Sequence, residues 1–181
     1  MIEIHPYQPA WREGVAALIV PIQQREFAIP ITLDAQPDLT DIPGFYQQGK
    51  GQFWVALAGG EVVGSIGLLD IGEGRGALRK MFVAEAYRGA THGVAPRLLG
   101  TLLDWCAGHG VHEIYLGTTE QFLAAHRFYE KHGFTVLPRE ALPAAFPVMA
   151  VDNRFYWRKV EAAAAHETPA AASDCESDPC C

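Results

Sequence analysis

Hydrophobic positions change their period several times along the chain. Ile2 to His5 alternates apolar and polar residues before Pro6, which predicts a short strand. Val15, Leu18, Ile19 and Ile22 recur at helical spacing within Trp11 to Phe27, a stretch that Pro21 should kink or split. Ala28 to Gly51 is rich in Pro, Asp, Gly and Gln and predicts loops around a short helix near Leu39 to Gln48.

Gln52 to Leu57 alternates, and Val62 to Leu69 is an apolar run. The turn signal Ala58-Gly59-Gly60-Glu61 lies between them, so the pair predicts a hairpin. Gly72 to Gly76 predicts a flexible loop and Leu78 to Val83 a third strand. After a glycine-containing loop, Ala95, Leu98, Leu99, Leu102, Leu103 and Cys106 form one apolar helical stripe, with Pro96 in its first turn and Gly108-His109-Gly110 at its end. Glu113 to Thr119 predicts a strand, Gln121 to His132 a helix, Phe134 to Leu137 a short strand and Val148 to Val160 a long last strand. The order is that of a mixed α/β (α+β) domain over residues 1–160. Its central strand–helix–strand unit, Leu78 to Thr119, should hold two parallel strands.

Composition adds limits. Of 181 residues, 49% are hydrophobic and 19% charged, which suits one domain with a real core and excludes a largely disordered chain. The net charge of −7 gives no sign of a nucleic-acid partner, but five of those charges belong to residues 161–181. That segment has seven alanines and reads as an acidic appendage, with Glu161 to His166 able to extend as a helix. It also holds Cys175, Cys180 and Cys181, either soft-metal or disulfide partners or incidental thiols. Cys106 lies on the apolar stripe and reads as a small buried hydrophobe. No apolar run approaches the roughly 18 residues of a spanning helix, and Met1 to Pro6 lacks a basic n-region. The expectation is a cytoplasmic protein with no membrane partner.

The most informative segment runs from Met81 to Pro96. A strand ends, small residues turn, and a long helix begins, an arrangement that offers main-chain N–H groups to an anion. Gly89, Ala90, Gly93 and Ala95 would let a pyrophosphate approach closely, and Arg88 and His92 could add charge-assisted contacts. A helix start with glycines for turning is the alternative reading. The segment fits neither a P-loop nor Gly-x-Gly-x-x-Gly, which leaves a nucleotide- or dinucleotide-binding domain as a weaker alternative.

Two motifs carry a resemblance. Tyr87-Arg88-Gly89, followed by Gly93-Val94-Ala95, is similar to the acetyl-CoA loop of the GNAT-type N-acetyltransferases. Ala125-His126-Arg127-Phe128-Tyr129-Glu130-Lys131-His132-Gly133-Phe134 resembles the same family's Ala-x-x-Phe-Tyr-Glu-Lys-x-Gly-Phe segment. The resemblance spans Ile2 to Val160. It implies a mixed central sheet with a splayed parallel strand pair, flanked by about four helices. It also implies direct transfer of an acetyl group from acetyl-CoA, as co-substrate and without a metal, to the amine of a small molecule or amino-acid-like acceptor. Homodimers also occur in the family, through exposed last strands.

In that picture Met81, Phe82 and Val83 bind pantetheine and polarise the thioester, and the loop Arg88, Gly89, Ala90, Thr91, His92, Gly93, Val94 and Ala95 receives the pyrophosphate. Tyr129 protonates the leaving sulfur; its other reading is a half-buried ring paired with Phe128. The loop departs from the pattern: counted back from Gly93, the family's Arg/Gln position falls on Ala90, as if Thr91-His92 were inserted. Phe122 stands where the family often has Asn. The strand glutamate that serves many members as base is missing at Ala77. Glu26, Asp38 and Glu120 are therefore the base candidates, with Thr118 and Thr119 beside the acceptor. These departures keep open a non-catalytic acyl-CoA-binding domain. Trp54, Phe53, Tyr46 and Trp157 are either acceptor-pocket walls or core, with core the commoner fate of strand aromatics.

Overall fold

The computed structural model describes residues 1–162. The three tail cysteines, and the appendage from residue 163 onward, lie outside the described residues. One mixed sheet of seven strands organises the chain: β1 (Ile2–Pro6), β2 (Gln52–Ala58), β3 (Glu61–Gly72), β4 (Arg75–Val83), β5 (Glu113–Thr118), β6 (Thr135–Leu137) and β7 (Arg154–Lys159), in the order β1-β2-β3-β4-β5-β7-β6. The helices are α1 (Arg12–Pro21), α2 (Pro37–Thr40), α3 (Ile42–Phe45), α4 (Val94–His109) and α5 (Leu123–Lys131).

Both faces of the sheet are covered, and β2 shows how. Its alternate residues Phe53, Val55 and Leu57 join Val15, Ile19, Ile42 and Tyr46 from α1 and α3, while Trp54 and Ala56 join Leu98, Leu99, Leu102 and Cys106 from α4. Each fully buried side chain of that kind contributes about 1.5–3 kcal/mol. Tyr46, Phe53 and Trp54 are thus core. Burial also pushes the Cys106 thiol up to about 12, leaving it protonated and unreactive.

Pro21 divides the first helical run, as expected, without leaving helical backbone geometry. It ends α1, and a π-helical turn, Ile22–Glu26, follows. Proline has no N–H for Ala17, and a widened turn absorbs the loss. Several boundaries differ from the sequence expectations. The expected helix near Leu39 is two single turns, the second capped by Asp41 accepting from Gly44 N–H at 3.0 Å. The expected loop Gly72 to Gly76 is a tight hairpin turn instead. Glu73 and Gly74 carry the positive φ values of +56° and +71° that a two-residue turn needs, so β3 and β4 extend to meet it. The last strand begins only at Arg154, and it is interior, between β5 and β6, rather than an exposed edge. Residues before it fold into a turn with Asp152 N–H bonded to the Met149 carbonyl at 3.0 Å.

Two features of β4 shape the centre. β4 pairs with β5 in parallel only over Arg75 to Ala77, opposite Glu113 to Tyr115; beyond that the strands part. β4 also bulges against β3. Ser65 faces Phe82 and Gly67 faces Arg79, so Ile66 stands opposite both Lys80 and Met81. Lys80 takes φ +53°, and Ser65 Oγ donates to its carbonyl at 2.7 Å.

Candidate functional site

Where β4 and β5 part, a cleft of about 820 Å³ opens. β4 from Leu78 to Val83 forms one wall and Leu116 to Thr119 the other. α5 contributes Phe128 and Tyr129, and the segments after α1 and before β7 close the ends. Phe27 packs against Phe122 at 4.0 Å between ring centres, the rings tilted by 35°, bridging the cleft from the π-helical turn to the start of α5. Phe122, at the position expected to be polar, is part of this apolar bridge.

The loop before α4 sits at the mouth. Gly89, Ala90, Thr91 and His92 are exposed, and Gly89 has φ +93°. Gly93 begins α4 in the left-handed conformation, φ +57°, and no side chain caps the helix. The first N–H groups are therefore available to a ligand. Val94 is 1% exposed and anchors the turn in the core, so only its main chain can meet a ligand. Gly93→Ala would place a Cβ in the left-handed region at a cost of about 1–2 kcal/mol. The expected readout is a Tm lower by about 2–8 °C in thermal unfolding.

Arg88 is already engaged. Its Nη1 and Nη2 donate to Glu26 Oε1 and Oε2 at 2.6 and 2.8 Å, and its Nε donates to the Val83 carbonyl at 2.8 Å. The bidentate bond from Arg88 holds the Glu26 carboxyl below the usual carboxylate range, which makes Glu26 a weaker base.

Tyr129 is 8% exposed and packs edge-on against Phe128 and Phe134. Tyr129 lines the cleft, and among the described residues its hydroxyl reaches only the soft Met81 Sδ, at 3.7 Å. Burial raises its pKa well above the ordinary phenol value, so it stays a proton donor.

The other expected residues divide. Thr118 and Thr119 line the cleft, and the buried Thr119 Oγ1 has no hydrogen-bond partner. Glu120 is exposed and outside the cleft lining, with its N–H bonded to Asn153 Oδ1 at 2.8 Å. Asp38 lies behind the β4 wall, 3% exposed. There it accepts from Tyr46 Oη at 2.6 Å and pairs with Lys80 Nζ at 3.4 Å and Arg79 Nη2 at 3.9 Å. Lys80 also donates to Gln36 at 2.8 Å, and Gln36 and Gln23 are bonded to each other at 2.9 Å.

Arg79, Lys80 and Asp152 line the cleft and were missed by the sequence reading. The available signal was two consecutive cations inside a strand with apolar neighbours. In a regular strand they would point to opposite faces, but the bulge at Lys80 brings both to Asp38. Among the described residues, no helix is long and apolar enough to cross a membrane.

A profile of the acetyltransferase (GNAT) family matches residues 18–134. The chain is similar to a crystallised acetyltransferase of the GNAT family from Staphylococcus aureus Mu50. The two share 38% identity over 89% of this chain and 100% of that one, with a TM-score of 0.84. It is 37% identical over 99 residues to the N-acetylaspartate synthetase of Xenopus tropicalis, a match covering 54% of this chain and 36% of that protein. The chain spans a third to a half of the length of the curated relatives it matches. A likeness in fold, at 16% identity and a TM-score of 0.68, covers 89% of this chain and 35% of N-acetylglutamate synthase from Neisseria gonorrhoeae, crystallised with coenzyme A and N-acetyl-glutamate.

Proposed function

Since this chain belongs to the GNAT acetyltransferase family, we propose that it transfers an acetyl group from acetyl-CoA directly to the amine of an amino-acid-like acceptor. The observation that carries the reading is Tyr129, a buried lining residue of the wedge between β4 and β5 whose hydroxyl, among the described residues, has only a thioether sulfur in reach. The relatives whose names specify acetylated aspartate or glutamate support the acceptor class.

The ladder to β5 stops at Ala77, so the β4 main chain around Met81, Phe82 and Val83 has no β5 partner and, apart from the Val83 carbonyl held by Arg88, can bond the pantetheine amides. An N–H at Phe82 or Val83 would polarise the thioester carbonyl. Gly89 to Ala95 receives the pyrophosphate at the uncapped α4 terminus. Arg88 joins it by exchanging Glu26 for phosphate oxygens. Tyr129 donates its proton to the departing sulfur.

The test is calorimetry with acetyl-CoA, NAD and ATP, followed by assay of released CoA thiol with a panel of primary amines. Binding of acetyl-CoA alone, with thiol release dependent on an amine, is the expected result. Tight acetyl-CoA binding without release for any amine would favour the non-catalytic acyl-CoA-binding reading, which the missing glutamate at Ala77 supports. Preference for NAD or ATP would reject both.

A further inference from the structure

One set of charges in the cleft is used neither by the phosphate loop nor by Tyr129. Arg79 and Lys80 line the β4 wall, their side chains 13% and 9% exposed, and they share the single carboxylate of Asp38 behind them. Asp38 is the one carboxylate in ion-pair contact with them, and Asp152 acts on them at longer range, so a carboxylate entering the cleft meets two cations. Arg79 is further held over the Phe45 ring, 5.5 Å from its centre, so it is fixed in place.

Asp152 comes from the other side of the wedge. Its turn is closed by Asp152 N–H on the Met149 carbonyl and by Met149 N–H on Asp152 Oδ2, both at 3.0 Å. Asn153 N–H, bonded to the Thr118 carbonyl at 3.0 Å, ties the turn to the end of β5. Asp152 Oδ2 lies so close over Gly117 that a Cβ there would collide with it. None of the ion pairs among the described residues includes Asp152. The cleft therefore presents a fixed cation pair and a separate fixed carboxylate, both near the bulge of β4.

We propose that these groups form a receptor for the zwitterion of an amino acid: Arg79 and Lys80 bind its carboxylate, and Asp152 binds its ammonium and removes its proton. The inference rests on the acetyltransferase reading above and assigns the acceptor half of that site. Asp152 takes one N–H proton, which frees the nitrogen lone pair. The nitrogen then attacks the thioester carbon; the C–N bond forms and the C–S bond breaks. Tyr129 gives its proton to the sulfur and regains one from the second N–H of the attacking nitrogen. Asp152 releases its proton to solvent. The products are the amide, the thiol and one proton.

The electrostatics suit a base. Burial raises the Asp152 pKa, against the Met149 N–H and the charges of Arg79 and Lys80, which lower it. These two cations face it from β4, and on β5 Gly117 lies directly beside it. A raised pKa keeps the carboxyl protonated to higher pH than a free one, so activity falls as pH drops through that pKa.

The experiment compares a free amino acid, its α-amide and the corresponding simple amine as acceptors, with thiol release as the readout. Wild type should favour the free amino acid by about tenfold or more in kcat/KM, since charge-assisted bonds to two cations are lost in the others. Lys80→Gln, and independently Arg79→Gln, should erase that preference. Asp152→Asn keeps an acceptor for Met149 N–H. It should lower kcat by about a hundredfold and remove the acidic limb of the pH profile, with acetyl-CoA affinity unchanged. The inference is overturned if wild type transfers acetyl groups but ignores the carboxylate, or if the acidic limb survives in Asp152→Asn. A wild type that releases no thiol with any amine overturns the acetyltransferase reading itself, and that outcome is distinct from either of the others.

Discussion

Tyr129→Phe should lower kcat by about 10²- to 10³-fold, the usual share of a positioned proton donor. The substitution removes one atom. The ring keeps its edge-on contacts with Phe128 and Phe134 and its packing near Tyr156, and the hydroxyl loses only the 3.7 Å contact to Met81 Sδ. A thioether is a weak acceptor, so the fold should lose less than about 1 kcal/mol. Acetyl-CoA affinity should also hold, because the β4 main chain and the α4 terminus are untouched. The defect should persist across the working pH range, since burial keeps the phenol protonated throughout. Single-turnover assays, with thermal unfolding as control, separate the two effects. Wild-type turnover in the Phe variant would remove Tyr129 from the chemistry and return it to a packing role.

Asp38→Ala carries the largest expected cost in stability, about 3–5 kcal/mol, as for other buried ion pairs that lose one partner. The variant leaves the buried Lys80 ammonium bonded only to neutral Gln36 and beside the Arg79 guanidinium, with Asp152 the remaining carboxylate at longer range, and it strips the Tyr46 hydroxyl of its acceptor. Tyr46 is 0% exposed, so no water replaces that bond without opening the core. Asp38→Asn should cost less, since its amide oxygen still accepts from Tyr46. Denaturant unfolding of Asp38→Ala, Lys80→Met and the double variant forms a cycle. The double variant should recover much of the loss, because it removes both charges together. Strict additivity in that cycle would mean the pair is not coupled.

The order of strands and helices was legible because both faces of a central sheet need filling, and α4 writes its apolar stripe plainly from Ala95 to Cys106. The wedge followed from resemblance. The side proposed for the cofactor rests on local signals, such as Gly89, Gly93 and Tyr129, that lie close in sequence to the elements that hold them. The side proposed for the acceptor was not legible. Arg79 and Lys80 converge only because one extra residue bulges from β4, and no period along the chain records a bulge. Asp152 was hidden inside Val148 to Val160, which reads as one long strand but turns until Arg154. Glu26, named as a base candidate, instead holds Arg88 across 62 positions of sequence, a pairing that spacing does not encode.

The short seam between β4 and β5 has one more consequence. Among the described residues, strand pairing joins β1 to β4 to β5, β7 and β6 only over the Arg75–Ala77 register, which the Gly74 carbonyl extends by accepting from His112 N–H at 2.7 Å. The Arg75 Nε to Glu113 Oε2 bond, at 3.0 Å, reinforces the same end. Mechanically the sheet is two panels on a common hinge, closed at one end and open at the other. A molecule seated in the opening braces both panels. Its binding free energy is then also work against their separation, and occupancy of the wedge and cooperativity of unfolding rise together.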